Sequence, residues 1–300
     1  MSETTMLRRA APVGETMPTL RTIAELREAL RVAAPPIGLV PTMGALHEGH
    51  LALLERARAE CATVVMSLFV NPSQFGAGED LAAYPREEER DARLAADAGV
   101  DVLFAPSSEE MYPEGFATRI HLSGLGDTLE GAARGPQHFD AVATVVVKLL
   151  NIVGPQIAYF GQKDAQQALV VKRVAADLDM PVSIEVCPTV RAADGLALSS
   201  RNAYLTAQER VRATALYRAL RAGAEVVAGG SRDGAAARAA ALAELALAGI
   251  EPDYLEVVDP ATLVPVERVE VPVLIAVAAR VGAARLIDNV VATPAGQEPR

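Results

Sequence analysis

The sequence predicts an α/β chain, a doubly wound parallel sheet followed by a smaller C-terminal α+β domain, and three observations predict it. Apolar runs at 37–40, 62–70, 100–105, 156–160 and 182–187 alternate with helical patterns at 47–60, 86–98, 138–152 and 164–178, the rhythm of parallel β-α-β units. That rhythm changes near residue 190, where two helical stretches precede two strand-like runs. The length of 300 residues accommodates about two domains at ~150 residues apiece.

Residues 1–18 show no sustained period and carry Pro12, Gly14 and Pro18, so they read as a frayed leader. Thr22 then caps a helix whose apolar face is Ile23, Leu26, Ala29 and Leu30. Ile37 to Val40 is a short strand stopped by Pro41, and a Gly-containing turn leads into a helix from His47 to Glu60. The alternation continues to Cys187, giving a Rossmann-like sheet in which ligands bind beyond the carboxyl ends of the strands. Beyond it lie helices at about 206–228 and 233–248, the second with nine alanines in 231–250, and strands at 253–258 and 273–279. The boundary falls between 188 and 202, giving domains 1–190 and 191–300, the second expected to close over the nucleotide site of the first. Residues 124–137, with Gly124, Gly126, Gly131, Gly135 and Pro136, have low helix and strand propensity and read as a mobile loop.

Composition narrows the function. Apolar residues make up 51% and charged residues 22%, ordinary for a globular chain and unlike disordered or collagen-like sequences. Twenty-eight Lys and Arg against 38 Asp and Glu leave a net charge of -10, which disfavours nucleic acid and anionic membranes as partners and points to small ligands. Cys61 and Cys187 stand 126 positions apart with no C-x-x-C, so neither a disulfide framework nor a thiolate metal site is expected. No apolar run reaches the roughly 18 residues of a spanning helix, and Arg8-Arg9 is not followed by a signal-peptide core. A soluble, unexported, cytoplasmic protein is expected.

Four polar clusters follow strands. In Pro41-Thr-Met-Gly-Ala-Leu-His47-Glu-Gly-His50, two histidines three apart share the first turn of a helix, beside unpaired N–H groups and the positive end of its dipole. That is an anion seat, with Gly44 and Gly49 clearing room for a nucleotide and neutral imidazoles adding donors. The plainer reading is a helix start with two solvated histidines. A zinc site is weaker, since H-E-x-x-H is one residue longer and only His121 and His138 remain as further imidazoles. Asn71-Pro72-Ser-Gln74 places an amide that both donates and accepts after the next strand, although a simple turn explains it too. Gly161-Gln-Lys163-Asp164 offers a cation for phosphate and an acid able to cap a helix or accept a ribose hydroxyl. Ser199-Ser200-Arg201 joins two hydroxyls to a guanidinium in what is otherwise a polar interdomain linker.

These residues resemble the pantothenate synthetase (pantoate:β-alanine ligase) family, within the nucleotidyltransferases that carry a His-x-Gly-His motif. The matches are Pro41 to His50, Phe69-Val-Asn-Pro-x-Gln-Phe75, Tyr84-Pro-Arg86, Met111-Tyr-Pro113, Gly161-x-Lys-Asp164, Gln166-Gln167, Asp194-Gly-Leu-Ala197, Ser199-Ser-Arg-Asn202 and Asp288-Asn289. They run in family order along most of the chain. The resemblance implies that ATP and pantoate give a pantoyl adenylate and pyrophosphate, and that β-alanine then releases AMP and pantothenate. It implies a cytoplasmic homodimer requiring magnesium. Position by position it assigns ATP to Met43, Gly44, Ala45, Leu46, His47, Glu48, Gly49, His50, Gly161, Gln162, Lys163, Asp164, Val190, Leu198, Ser199, Ser200 and Arg201. Gln74 and Gln167 take pantoate, Gln74 also meets β-alanine, and Asp91 reaches magnesium. His50, His47 and Lys163 become the catalytic donors, suited to charge building on phosphate.

The sequence departs from the family's usual pattern at four places. Gln162 stands where Glu is usual, Leu198 where Met is, and Ala165 where an aromatic is common. Arg134-Gly-Pro-Gln-His138-Phe139 is one residue longer than the family's Arg-Pro-Gly-His-Phe, in the segment the resemblance treats as a flap over the nucleotide. The competing enzyme class is a nucleotidyltransferase of the same superfold acting on a phosphate-bearing acceptor; the competing non-enzyme is an ATP-binding regulatory module, which would need no Gln74 or Gln167.

Overall fold

The structure, a computed structural model, describes residues 17–76, 78–135 and 137–297. Most of the leader read at 1–18 and Pro136 of the 124–137 segment lie outside them.

Six parallel strands form the first sheet: β1 (Thr19–Leu20), β2 (Ile37–Thr42), β3 (Thr63–Leu68), β4 (Val102–Phe104), β5 (Ile157–Gly161) and β6 (Ser183–Cys187). Their order is β1-β4-β3-β2-β5-β6. The chain thus winds outward from β2 to one edge and then returns to the other side of β2. The reversal between β2 and β5 is a topological switch point, where a crevice opens at the strand ends. Helices cover both faces, which is why β3 is buried along nearly its whole length instead of alternating. On one face α1 (Ile23–Leu30), α6 (Gln137–Val153) and α7 (Ala165–Asp177) pack over Leu39, Val65, Phe104 and Ala158. On the other, α2 (Glu48–Glu60) and α3 (Glu88–Asp97) pack over Val40, Val64, Met66 and Leu103. Thr22 caps α1 as expected, in a reciprocal capping box with Glu25.

Two short helices, α4 (Ser108–Met111) and α5 (Glu130–Arg134), lie between β4 and α6. The second is a helix inside the 124–137 segment, where the glycine-rich composition argued against regular structure. Gln166 donates to the carbonyls of Leu125 and Thr128 at 2.7 and 2.8 Å and accepts from the Glu130 N–H at 2.9 Å. These long-range bonds override the poor local propensity of a Gly-rich stretch.

After β6 come α8 (Ala207–Ala213), α9 (Ala215–Ala228) and α10 (Gly234–Leu247). The single helix expected at 206–228 is two, parted at Thr214, whose hydroxyl donates to the Val211 carbonyl at 2.8 Å. The alanines have a packing role besides propensity: Ala219, Ala237 and Ala241 are fully buried where α9 and α10 meet. The helices cover an antiparallel sheet of β7 (Pro252–Val258), β8 (Val273–Val281) and β9 (Ala284–Ala292), in that order. Strand β9 escapes the sequence pattern because Asp288 and Asn289, adjacent and both 4% exposed, break the apolar alternation. A small apolar cluster of Leu129, Val258, Leu263, Leu274 and Ala276, with Ala165 and Leu169 of α7 against it, joins this second sheet to the helical layer of the first.

Candidate active site

The crevice at the switch point is a cavity of about 210 Å³. Its floor comes from Pro41 to Met43 at the end of β2 and from Gly161, Lys163 and Asp164 at and beyond the end of β5. Val142, Val145, Val146 and Leu149 on α6 form an apolar wall, and Thr189, Val190 and Leu198 to Arg201 form the far side. A second cavity of about 350 Å³ shares Met43, Gln74, Lys163, Asp164, Gln167, Ser199 and Arg201 with the first. It extends between α5 and the C-terminal sheet to Tyr254, Arg280, Arg285 and Asn289.

His47 is the N-cap of α2. Its Nδ1 accepts from the Gly49 N–H at 3.1 Å, and the Nδ1 of His50 accepts from the His47 N–H at 3.4 Å. Each ring therefore carries its proton on Nε2, leaving that N–H for a ligand. Burial pushes His47 down to about 4 and His50 to about 3, with Lys163 adding to both, so the rings are neutral donors. The rings lie 4.2 Å apart.

The two glycines of this motif have reasons other than the one read from the sequence. A Cβ on Gly49 would come within 2.8 Å of the His47 ring, and one on Gly44, at φ +86°, within 2.8 Å of Leu68 and 3.0 Å of Asp91. They clear space for the protein's own groups. Asp91 itself is 1% exposed on α3, and its two oxygens accept from the Ala45 and Leu46 N–H groups at 2.8 and 2.9 Å. The Arg90 guanidinium stands 3.6 Å from one of them. Both acceptors are engaged and a cation is already beside them, so Asp91 does not fit as a magnesium ligand; it pins the loop. Among the described residues no group of three or more His, Cys, Asp or Glu is arranged to hold a metal ion.

Of the other residues singled out, Met43, His47, Gly49, His50, Gly161, Lys163, Asp164, Val190, Leu198, Ser199, Ser200 and Arg201 line the first cavity together with Gln74 and Gln167. Gly44, Ala45, Leu46, Glu48 and Gln162 line neither cavity. Leu46 is buried in the core, and Gln162 turns to Asn289. Asp164 does not cap α7; it sits 3.3 Å from Lys163. Burial opposes its charge, but Lys163 and Arg201 outweigh that and hold the carboxyl below its ordinary value. The Gln74 side chain accepts from Asn71 Nδ2 at 3.1 Å and donates to Met43 Sδ at 3.0 Å. Arg201 is held by Asp80 through two bonds of 2.9 and 2.8 Å. Arg134 is likewise held by Glu79 and lines only the second cavity.

Sequence reading missed several groups. Asp80, Glu79 and Asn289 sit in or beside the cavities through long-range contacts that leave no local signal. Thr189 has a buried hydroxyl with no hydrogen-bond partner in the protein and lines the first cavity. The four α6 residues were readable as a helical face, but not as one that faces a ligand.

A doubly wound sheet whose switch point gathers two neutral histidines, a lysine and two amides around one cavity defines an enzyme of the nucleotide-using α/β class. The chain belongs to the Pantoate-beta-alanine ligase family, whose profile matches residues 18–291. It is 54% identical over 279 residues to a pantothenate synthetase of Moorella thermoacetica, covering 92% of this chain and 98% of that one. The crystal structure of pantothenate synthetase from Thermus thermophilus is 53% identical and superposes with a TM-score of 0.88 over 93% of this chain and all of that one. A Francisella tularensis pantoate-beta-alanine ligase, complexed with beta-gamma ATP and beta-alanine, is 34% identical with a TM-score of 0.77, covering 92% of this chain and 97% of that one. The reaction is the ligation of pantoate to β-alanine, with ATP a substrate of the family.

Proposed function

We propose that the ligation runs through a pantoyl adenylate formed in the switch-point cavity. A pantoate carboxylate oxygen attacks the α-phosphorus of ATP and pyrophosphate leaves; the β-alanine amine then attacks the acyl carbon and AMP leaves. A free carboxylate is a poor acyl donor, and forming the mixed anhydride with AMP supplies the leaving group. The observation that carries this reading is the neutral histidine pair with free Nε2–H donors in one cavity with Lys163, Gln74 and Gln167. Preorganised donors of this kind stabilise charge on phosphate without reorganising when it develops. Within the same reading Gln74 and Gln167 hold pantoate, Gln74 also meets β-alanine, and His50 is the principal donor. Of the stretches Met43–His50, Gly161–Asp164, Val190 and Leu198–Arg201, the residues that line the cavity take ATP: Met43, His47, Gly49, His50, Gly161, Lys163, Asp164, Val190 and Leu198 to Arg201. No side chain in the cavity suggests a covalent acyl-enzyme, so proximity in a closed site drives the second step. The closing element is the domain at 191–300 over that at 1–190.

Magnesium belongs to this reading as a counter-ion arriving with the ATP phosphates, with no step assigned to it and without Asp91 as its ligand. A homodimer and a cytoplasmic location belong to it too; among the described residues no helix is long and apolar enough to cross a membrane. The test is isotopic. Oxygen-18 in the pantoate carboxylate should appear in AMP, whereas label in inorganic phosphate with ADP as product would overturn the adenylate route.

A further inference from the structure

Beyond Gly161, which ends β5 and pairs with Cys187 of β6, loop 161–164 carries Lys163 with no side-chain hold of its own on its main chain. At the start of the turn Gln162–Asp164 there is no side-chain cap, and Asp164, at the N-cap of α7, bonds Lys163 instead of the backbone. Among the described residues, every side-chain bond to this loop's main chain comes from Asn289, in the middle of β9 on the other sheet. Its Nδ2 donates to the carbonyls of Gln162 and Lys163, both at 2.9 Å, and its Oδ1 accepts from Gln162 Nε2 at 3.0 Å. Asn289 is itself fixed: its N–H donates to Asp288 at 2.7 Å, its carbonyl accepts from Arg191 at 3.2 Å, and Arg191 grips Asp288 at 2.5 and 2.9 Å.

We infer that Asn289 is a positioning residue, setting the Lys163 loop against the cavity from the C-terminal sheet. The functional half of this inference rests on the reading of Lys163 as a phosphate donor. An amide is required, because two carbonyls call for two hydrogens on one atom and a carboxylate has none. Gln162, which stands where the family it resembles usually has Glu, adds to the hold: its Nε2 donates to Asn289 Oδ1, a bond a carboxylate could not give. Asn289 is itself buried, so its amide has little water to turn to if either carbonyl is lost.

Asn289→Asp keeps the shape and removes both donors, and Asn289→Ala removes the side chain. In either variant amide exchange across 162–165 should quicken in the ligand-free protein while exchange across 44–47 stays as it was. The KM for ATP should rise roughly tenfold, with little change in the KM for pantoate, and Lys163→Ala should reproduce that pattern without quickening the loop. Unchanged exchange across 162–165 in both Asn289 variants overturns the hold. An equal rise in the KM values for ATP and pantoate overturns it as well, since it signals a general loss of structure. Faster loop exchange with an unmoved ATP KM in both Asn289→Ala and Lys163→Ala overturns the phosphate role of Lys163 while leaving the hold itself standing.

Discussion

The two loops that meet at the switch point are held in opposite ways. Residues 43–50, after β2, are fixed from inside the first sheet: Asp91 on a neighbouring helix pins two N–H groups, and His47 and His50 bond the helix start they belong to. Residues 161–164, after β5, are fixed from outside it, by Asn289 of the second sheet. One half of the site is therefore as rigid as the sheet that carries it, whereas the other is only as well placed as the docking of the C-terminal sheet. The far side shows the same division: Arg201, which lines it, is tied to Asp80, whereas Arg191, next to Val190, is tied to Asp288 of the second sheet. Under the proposed reading, an enzyme that must admit ATP and two acids gains from one half fixed within the first sheet and another set by the second.

The largest effect expected separates chemistry from placement within the first loop. His50→Ala removes a preorganised donor and should lower kcat by about 10² to 10³, or roughly 3 kcal/mol, without quickening exchange across 161–164. Steady-state rates near those of the unaltered enzyme would remove His50 from its role. Asp91→Asn tests placement in the same loop. One of two buried N–H groups loses its acceptor, which costs about 1 to 3 kcal/mol of stability, visible as a lower Tm and faster exchange at Ala45 and Leu46. The magnesium concentration for half-maximal activity should stay put; a marked rise would restore Asp91 as a metal ligand and break the contrast between the loops.

A smaller effect sharpens the other side of the comparison. Arg201, which the proposed reading gives to ATP, is engaged by Asp80 in a pair that is about one-quarter exposed. Nucleotide must then compete with a carboxylate for the guanidinium. Asp80→Asn should lower the KM for ATP two- to fivefold, in line with the ~1 kcal/mol or less of partly exposed ion pairs. A higher KM would mean that Asp80 positions Arg201 for ATP instead of competing for it.

How much of this was legible follows from the range of the interactions. Most strands and helices of the first sheet are local patterns of apolar spacing, and the histidine motif Pro41–His50 is ten residues of contiguous sequence, so both were readable. Strand β1 was not, because two residues carry no period. Strand β9 was not, because Asp288 and Asn289 serve contacts 97 and 127 residues away. The same holds for Gly44 and Gly49, rightly singled out but for the wrong reason: what a Cβ would strike is set by Asp91 and by a rotamer of His47. The helix within 124–137 is legible only with Gln166 in view, and that residue looks like one half of a repeated pair until the structure separates the two: Gln167 lines both cavities, whereas Gln166 lines only the second and bonds the Leu125 carbonyl.

The smallest effect expected concerns pH and the four histidines. Burial holds His47 and His138 at about 4 and His50 at about 3, whereas His121, exposed and bonded to Asp140, is raised above its ordinary value. In an NMR titration of the ligand-free protein, one imidazole should therefore titrate above 6.5 and three should remain neutral well below it. The consequence for stability has a definite sign. Between about 6.5 and 4 the unfolded chain binds protons at His47, His50 and His138 that the folded chain refuses, so stability from these groups is complete above 6.5 and drains away as pH falls through that window. His121 acts in the opposite sense, favouring the fold below its ordinary value, but weakly because it lies in water. For activity, the two cavity histidines are N–H donors throughout the neutral range, so kcat/KM for ATP should show no inflection near 6.5 from either of them. An inflection there that disappears in His50→Ala would show that His50 binds phosphate as a cation, and that the first loop is less dry and less closed than its packing in the sheet requires.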